Sequence, residues 1–249
     1  KSENRMNSIS SSELIQEFTK NKTGLIGIGI LLGLVIISII AATTIPIDTF
    51  KQWNNPGNWI SYPKTSVPVW INYFVDHKIP EHIIIENPAT ITKDDYISVT
   101  SHQFEIEFLY DDFPNGFIYE FSAEYSGSPL LQIHVIRPDQ TEILLLSTSL
   151  PNSDAKIVHN ERIFSTDDAI RKNVQIQSAM MGFYKENIPS EDLVFADDEE
   201  KILKGTYLFL VNLYGVEKHA KIIDSKLILG GKAFGIMGTD ELRRDLMVG

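Results

Sequence analysis

Cysteine is absent from this chain. That excludes a disulfide scaffold, thiolate zinc sites, iron–sulfur clusters and a cysteine nucleophile together. Positive charge is scarce: 22 Lys and Arg stand against 33 Asp and Glu, a net of −11 at pH 7. A nucleic-acid-binding face needs cations to neutralise phosphates, so this balance argues against a nucleic-acid partner. Enzyme signatures are missing as well. No G-x-S-x-G, H-E-x-x-H or G-x-x-x-x-G-K-[ST] occurs, which removes the usual serine-hydrolase, zinc-protease and ATP-hydrolysing motifs. The chain is therefore read as a non-enzyme, with no catalytic residue, cofactor or metal site. Its 249 residues suit one or two domains, and a hydrophobic content of 43% is enough for a core.

Charge is also missing from one long stretch. Gly24 to Ala42 reads GLIGIGILLGLVIISIIAA, nineteen residues with Ser38 as the only hydroxyl. As a helix it rises about 28 Å, close to the roughly 30 Å hydrocarbon core of a bilayer. A transmembrane helix is expected over 23–43. A signal peptide has a shorter apolar region, and Ala41-Ala42-Thr43 matches a cleavage site only loosely. Lys1, Arg5, Lys20 and Lys22 outweigh Glu3, Glu13 and Glu17 before the span, whereas residues 43–235 carry a net −11. The positive-inside rule then places the N-terminus in the cytoplasm of a membrane-embedded protein and the residues after about 43 outside the cell. Gly24, Gly27, Gly29 and Gly33 lack the preceding strand of a dinucleotide loop. Gly29 and Gly33 lie one turn apart, which fits either a helix-packing face or ordinary membrane-helix glycine. Residues 1–22 read as a cytoplasmic amphipathic lead-in: Ser10 and Glu13 have capping-box spacing, and Leu14, Ile15 and Phe18 share one side.

Residues 44–82 form a Pro/Trp-rich linker in this reading, with all three tryptophans inside eighteen residues. Indole rings favour the outer membrane interface, but the same residues equally suit the hydrophobic base of the next domain. A helical turn is expected over Trp70–Phe74. From 83 to 235 the period turns to two. Phe104, Ile106 and Phe108 alternate with Glu105, Glu107 and Leu109, and strands follow at 117–123, 130–136, 142–147, 205–215 and around 222–229, with turns at Pro114-Asn115-Gly116 and Arg137-Pro138-Asp139-Gln140. Thr166-Asp167-Asp168 predicts a capped helix through Met181. The expected fold class is mainly β: one N-terminal transmembrane helix, then an extracellular antiparallel β-sandwich-like domain with a helical insertion.

Chemistry-bearing clusters in that domain are thin. His77 and His82 sit five apart around Pro80, which is no helical metal pair. Asp111-Asp112 and Asp197-Asp198-Glu199-Glu200 lack the spacing of a calcium loop and read as solvated turn charges. The single N-x-[ST] acceptor, Asn21-Lys22-Thr23, falls on the inner side.

The last run, Met237-Gly238-Thr239-Asp240-Glu241-Leu242-Arg243-Arg244-Asp245, resembles the G-T-D-E-L-G-R-D signature of permease subunits of dipeptide/oligopeptide ABC transporters, in the second-permease (C-type) branch. The lead Phe18-Thr19-Lys20-Asn21-Lys22-Thr23-Gly24-Leu25-Ile26-Gly27 and the exit at Pro46 and Asp48 are similar to the same family. The resemblance covers about 45 residues and brackets an insertion of about 190, as in archaeal relatives. It implies that Gly238, Thr239, Asp240, Glu241, Leu242, Arg244 and Asp245 form a signature outside the membrane, and that residues 236–249 precede a second membrane helix. It implies a fragment of a longer permease, or a split or truncated product, that acts as scaffold and extracellular contact for the substrate-binding protein. The implied partners are a second permease subunit, ABC ATPase subunits, an extracellular peptide-binding protein and membrane lipid. Arg243 stands where the family has glycine, so the turn there is expected to be lost or shifted. The alternative is a stand-alone membrane-anchored β-sandwich serving adhesion or ligand binding.

Overall fold

A computed structural model describes residues 22–44, 53–94, 97–197, 199–216 and 220–247. The expected lead-in helix, Pro46 and Asp48 lie outside them. Two compact units result, one of residues up to Asn54 and one of Asn55–Met247.

In the first unit, α1 (Lys22–Thr44) has 23 residues, a rise of about 34 Å. It is long and apolar enough to cross a membrane. Leu25, Ile26, Leu31, Ile36 and Ile40, spread around its circumference, are all exposed. A helix apolar on every side lacks the polar stripe that a water-facing surface helix needs. In its last turn the Thr43 hydroxyl lies 2.9 Å and 3.0 Å from the carbonyls of Ile39 and Ile40, so its hydrogen satisfies the backbone rather than lipid or water. Gly29 and Gly33 are open, with no described residue where a Cβ would stand.

The second unit is an antiparallel β-sandwich. Its strands are β1 (Ile83–Ile85), β2 (Ala89–Asp94), β3 (Ile97–Phe108), β4 (Phe117–Gly127), β5 (Leu130–Ile136), β6 (Glu142–Ser149), β7 (Ser153–Phe164), β8 (Gly205–Val216) and β9 (Ala220–Leu229). One sheet runs β1-β9-β4-β7 and the other β2-β3-β8-β5-β6. The alternation read from sequence is what faces the sheets together: Phe104, Ile106 and Phe108 on β3 and Tyr207, Phe209, Val211 and Leu213 on β8 are all buried. Aromatic pairs join the layers, with Phe104–Tyr119 at 5.9 Å and Phe117–Phe209 at 5.4 Å between ring centroids. His102 of β3 meets the Ser225 hydroxyl of β9 at 2.6 Å inside the core, and burial lowers its pKa.

Three edge strands, β1, β2 and β7, were not read from sequence. On β7 only Ile163 is buried among exposed polar residues, so no period-2 signal exists. The strand is held instead by pairing with β4. β2 is exposed along 89–93 for the same reason.

The helical insertion is α2 (Asp168–Met181), with Ile170, Val174 and Ser178 buried at successive turns. Its expected cap differs in detail. The Asp167 side chain makes no bond to a helix N–H; it accepts from the Phe164 N–H at 2.9 Å, tightening the preceding turn instead. At the other end Gly182 takes a left-handed φ of 88°. The helix covers the free edge of β6: Gln177 accepts from Leu144 N–H and donates to Leu144 C=O, at 3.0 Å and 2.6 Å. These bonds occupy backbone groups that an open edge would offer to another chain.

The linker expected over 44–82 needs correcting from Asn55 onward. Val67 and Glu81 bridge Ala233, and Trp59 is a core residue at 8% exposure. Pro56–Asn58 and Val69–Tyr73 are short 3-10 helices, the second matching the expected turn. The domain starts near Asn55 rather than 83 because this stretch pairs with the segment after β9. Likewise it runs past 235 to Met247.

Candidate functional site

The residues of the C-terminal signature are brought together in one turn packed on residues 60–67. Thr239 is 4% exposed. Its hydroxyl donates to the Pro63 carbonyl at 2.7 Å and accepts from the Ser66 N–H at 3.0 Å, with the Ser66 hydroxyl at 2.9 Å. The Thr239 N–H donates back to the Ser66 carbonyl at 3.1 Å. Partners 173 residues apart in sequence are thus locked by one buried side chain.

Asp240 organises the loop itself. Its carboxylate accepts from Leu242 N–H at 2.8 Å, Arg244 N–H at 2.9 Å and the Arg244 guanidinium at 2.7 Å and 2.6 Å. Burial alone would raise its pKa, but the Arg244 guanidinium and these N–H groups outweigh it and hold the carboxyl below the usual range. Asp245 bridges Thr239 across the turn and accepts from Met247 N–H at 2.9 Å. Glu241 and Leu242 stand exposed at the tip.

Two backbone positions here have positive φ, and both bear on the signature. Gly238 sits at 76°, and a Cβ there would fall 2.3 Å from the Ser66 carbonyl oxygen, so only glycine fits. Arg243 sits at 68°. The turn expected to be lost or shifted there is present, with arginine in the left-handed conformation that favours glycine. Its guanidinium spans to the carbonyls of Tyr62 at 2.9 Å and Ile60 at 3.3 Å, which offsets part of the strain. Beside it, the His82 ring packs on Tyr62 and Phe234. Burial, aided by the Arg243 charge against a hydrogen bond with the Ser61 backbone, lowers its pKa to about 4.

A second polar constellation lies on the outer face of the four-stranded sheet. Glu120 of β4 is flanked in register by Arg162 of β7 and Lys226 of β9, at 2.7 Å and 3.0 Å, and accepts from the Ser61 hydroxyl at 3.1 Å. Four residues along the same face, Glu124 pairs with Lys156 and Lys221 at 2.8 Å and 3.1 Å. Burial would raise the Glu120 carboxyl, but the Lys226 hydrogen bond and the two cations lower it overall. A cleft of about 620 Å³ opens here, walled by Glu86, Asn87, Glu120, Ser122, Asn160, Arg162, Asp224 and Lys226 among others. Among the described residues that line it, the one aromatic is Phe121, which is 4% exposed. Such a cleft offers charged and amide hydrogen bonds rather than a stacking platform. Sequence gave no pointer to it, since its members come from β4, β7, β9 and the loop after β1 and meet only in the folded sheet.

Asp198 lies outside the described residues; the rest of the expected clusters resolve into turn chemistry. Asp111 pairs with Lys204 and accepts from Lys78 N–H, and Asp112 pairs with Lys232 at 2.6 Å. Asp197 accepts from the N–H groups of Glu199 and Lys201. His77 is exposed, whereas His82 is drawn into the aromatic cluster. Among the described residues no group of three or more His, Asp or Glu is placed to hold a metal ion.

No family model matches this chain, and no curated protein matches it. Solved structures do. TmCBM61 in complex with beta-1,4-galactotriose aligns over 61% of this chain and 79% of its own, at 10% identity and a TM-score of 0.26. CBM28, a non-crystalline cellulose specific carbohydrate-binding module, aligns over 69% and 97%, at 7% identity and a TM-score of 0.26. Dimeric latent PorU from Porphyromonas gingivalis aligns over 70% of this chain but 14% of its own, at 7% identity and a TM-score of 0.30. At such values the ligands of those proteins do not transfer to this one.

Proposed function

We propose that this chain is the membrane-anchored outer module of a permease subunit of a peptide-importing ABC transporter. The apolar helix α1 is its anchor, and the sandwich is an extracellular domain that meets the peptide-binding protein. One observation carries the reading: the turn at 238–245 has a left-handed residue at Arg243, where the G-T-D-E-L-G-R-D pattern has glycine. Left-handed φ is what selects glycine at a position. Gly238, Thr239, Asp240 and Arg244 each have a separate structural reason in the same turn. Here the signature's work is mechanical: it ties residues 60–66 to the segment that follows β9. ATP hydrolysis belongs to partner subunits.

A stand-alone anchored ligand-binding module is the second reading, favoured by the polar cleft beside Glu120. Detergent extraction followed by affinity capture separates the two. The permease reading expects an ABC ATPase and a second permease to co-purify with the tagged gene product, and a Glu120→Lys variant to retain them. Capture of neither subunit from membranes active in peptide uptake would overturn it in favour of the stand-alone module.

A further inference from the structure

We infer that the 3-10 turn Val69–Tyr73 and the strip around Ile236 form a lipid-contacting foot, seated on the neutral headgroup region of the outer leaflet. The inference rests on the anchored-permease reading above. Trp70, Tyr73 and Phe74 are 46%, 85% and 81% exposed, and Ile236 and Met237 are each 55% exposed. They form one patch. Val69 N–H donates to the Gly235 carbonyl at 3.0 Å, the Trp70 indole N–H donates to the Ile236 carbonyl at 2.9 Å, and the Trp70 and Phe74 rings meet edge-on at 6.2 Å. Three exposed aromatic rings within five residues are unusual for a soluble surface, and a contiguous apolar patch marks an interaction site.

The occupant follows from where the patch sits in the chain. Ten residues separate Thr44, the end of α1, from Asn55, the start of the sandwich, so the covalent chain keeps Asn55 within about 35–40 Å of the helix end. In the permease reading the segment from Ile236 leads on to the next membrane helix. Along the chain, the residues of the patch then fall between the two connections to the bilayer. Tryptophan and tyrosine are the residues enriched at that depth. The indole N–H already has its carbonyl partner, so the ring enters the interface without an unpaired donor. Asp76, Glu241 and Asp245 are matched in the same stretches by Lys78, Arg243 and Arg244, so no excess of positive charge meets anionic headgroups, and apolar contact with neutral lipid drives the seating. The ambiguity among the tryptophans is thereby divided: Trp59 belongs to the core and Trp70 to the foot.

The test uses the full chain in phosphatidylcholine vesicles, with lipid brominated near the carbonyl end of the acyl chains as quencher. The difference between the parent and Trp70→Phe isolates the Trp70 emission without touching Trp59. Brominated lipid should quench that component at least twofold, and raising salt to about 1 M should leave the quenching unchanged. Tyr73→Ser with Phe74→Ser should reduce the quenching while leaving the melting temperature in place, because both rings are exposed. Trp70 emission quenched by acrylamide but not by brominated lipid would overturn the foot, as would emission shielded from both, the mark of a covering protein. Retention of the chain after carbonate washing tests the anchored reading separately: a retained chain with a water-open Trp70 loses only the foot, whereas a released chain loses both.

Discussion

The turn around Thr239 and the ion pairs around Glu120 both join segments far apart in sequence, yet they do so in different solvents. Thr239 is 4% exposed, with three oxygen or nitrogen partners at 2.7–3.0 Å. Glu120 has two cations and a hydroxyl and is half-buried, at 16% side-chain exposure, with an open cleft beside it that water can enter. Removing a buried hydrogen-bond partner leaves donors and acceptors that water cannot reach. Removing a surface ion pair lets water take its place, and salt has already weakened it. The polar group that looks modest in sequence should therefore matter more to stability than the conspicuous charge array.

Thr239→Val is the sharpest way to break that contrast. It orphans the Ser66 N–H and the Pro63 carbonyl, and a loss on the order of 4 kcal/mol is expected in chemical denaturation, with Thr239→Ser recovering most of it. An equal loss for Glu120→Gln would erase the distinction.

Next comes acid. His82 has a folded pKa of about 4 against a usual 6.5, so the unfolded chain binds the proton first. Stability is full above pH 6.5 and is lost as pH falls toward 4, by up to about 3 kcal/mol. Asp192, whose carboxyl is pushed up to about 6 by burial and by Glu191, acts in the opposite direction. The measurement is therefore the difference between parent and His82→Phe across pH 4–7, where the variant should lose the His82 slope.

Arg243 sharpens the comparison further. Arg243→Ala keeps the positive φ and loses the bonds to Ile60 and Tyr62, so it should cost about 1–2 kcal/mol in thermal melts. Arg243→Gly relieves the strain and should lie above alanine by about 1 kcal/mol. An alanine variant as stable as glycine would mean that the left-handed turn is not maintained in solution. The smallest effect belongs to Glu120→Gln, expected under about 1 kcal/mol and smaller still in high salt.

Legibility followed the same division. α1, β5, β8 and the core face of β3 were readable because apolar periodicity is local: the side chains that make the pattern are the ones that become buried. β7 was not, because Asp154, Lys156, Asn160 and Glu161 give no alternation, and only the pairing with β4 makes it a strand. Resemblance drew attention to Thr239, but Ser66 and Pro63, which hold it, carry no motif. The Asp167 cap was placed correctly in sequence and differently in hydrogen bonding.

Composition and periodicity were enough to establish an uncharged helix of membrane length followed by a sandwich of alternating strands, since burial is encoded residue by residue. Where the domain begins, which tryptophan is core, and that Arg243 could keep a glycine's turn all depended on contacts between residues 60–82 and 231–245. Such contacts exist only after the chain has closed on itself, because hydrogen-bond partners more than 160 residues apart leave no trace in local spacing.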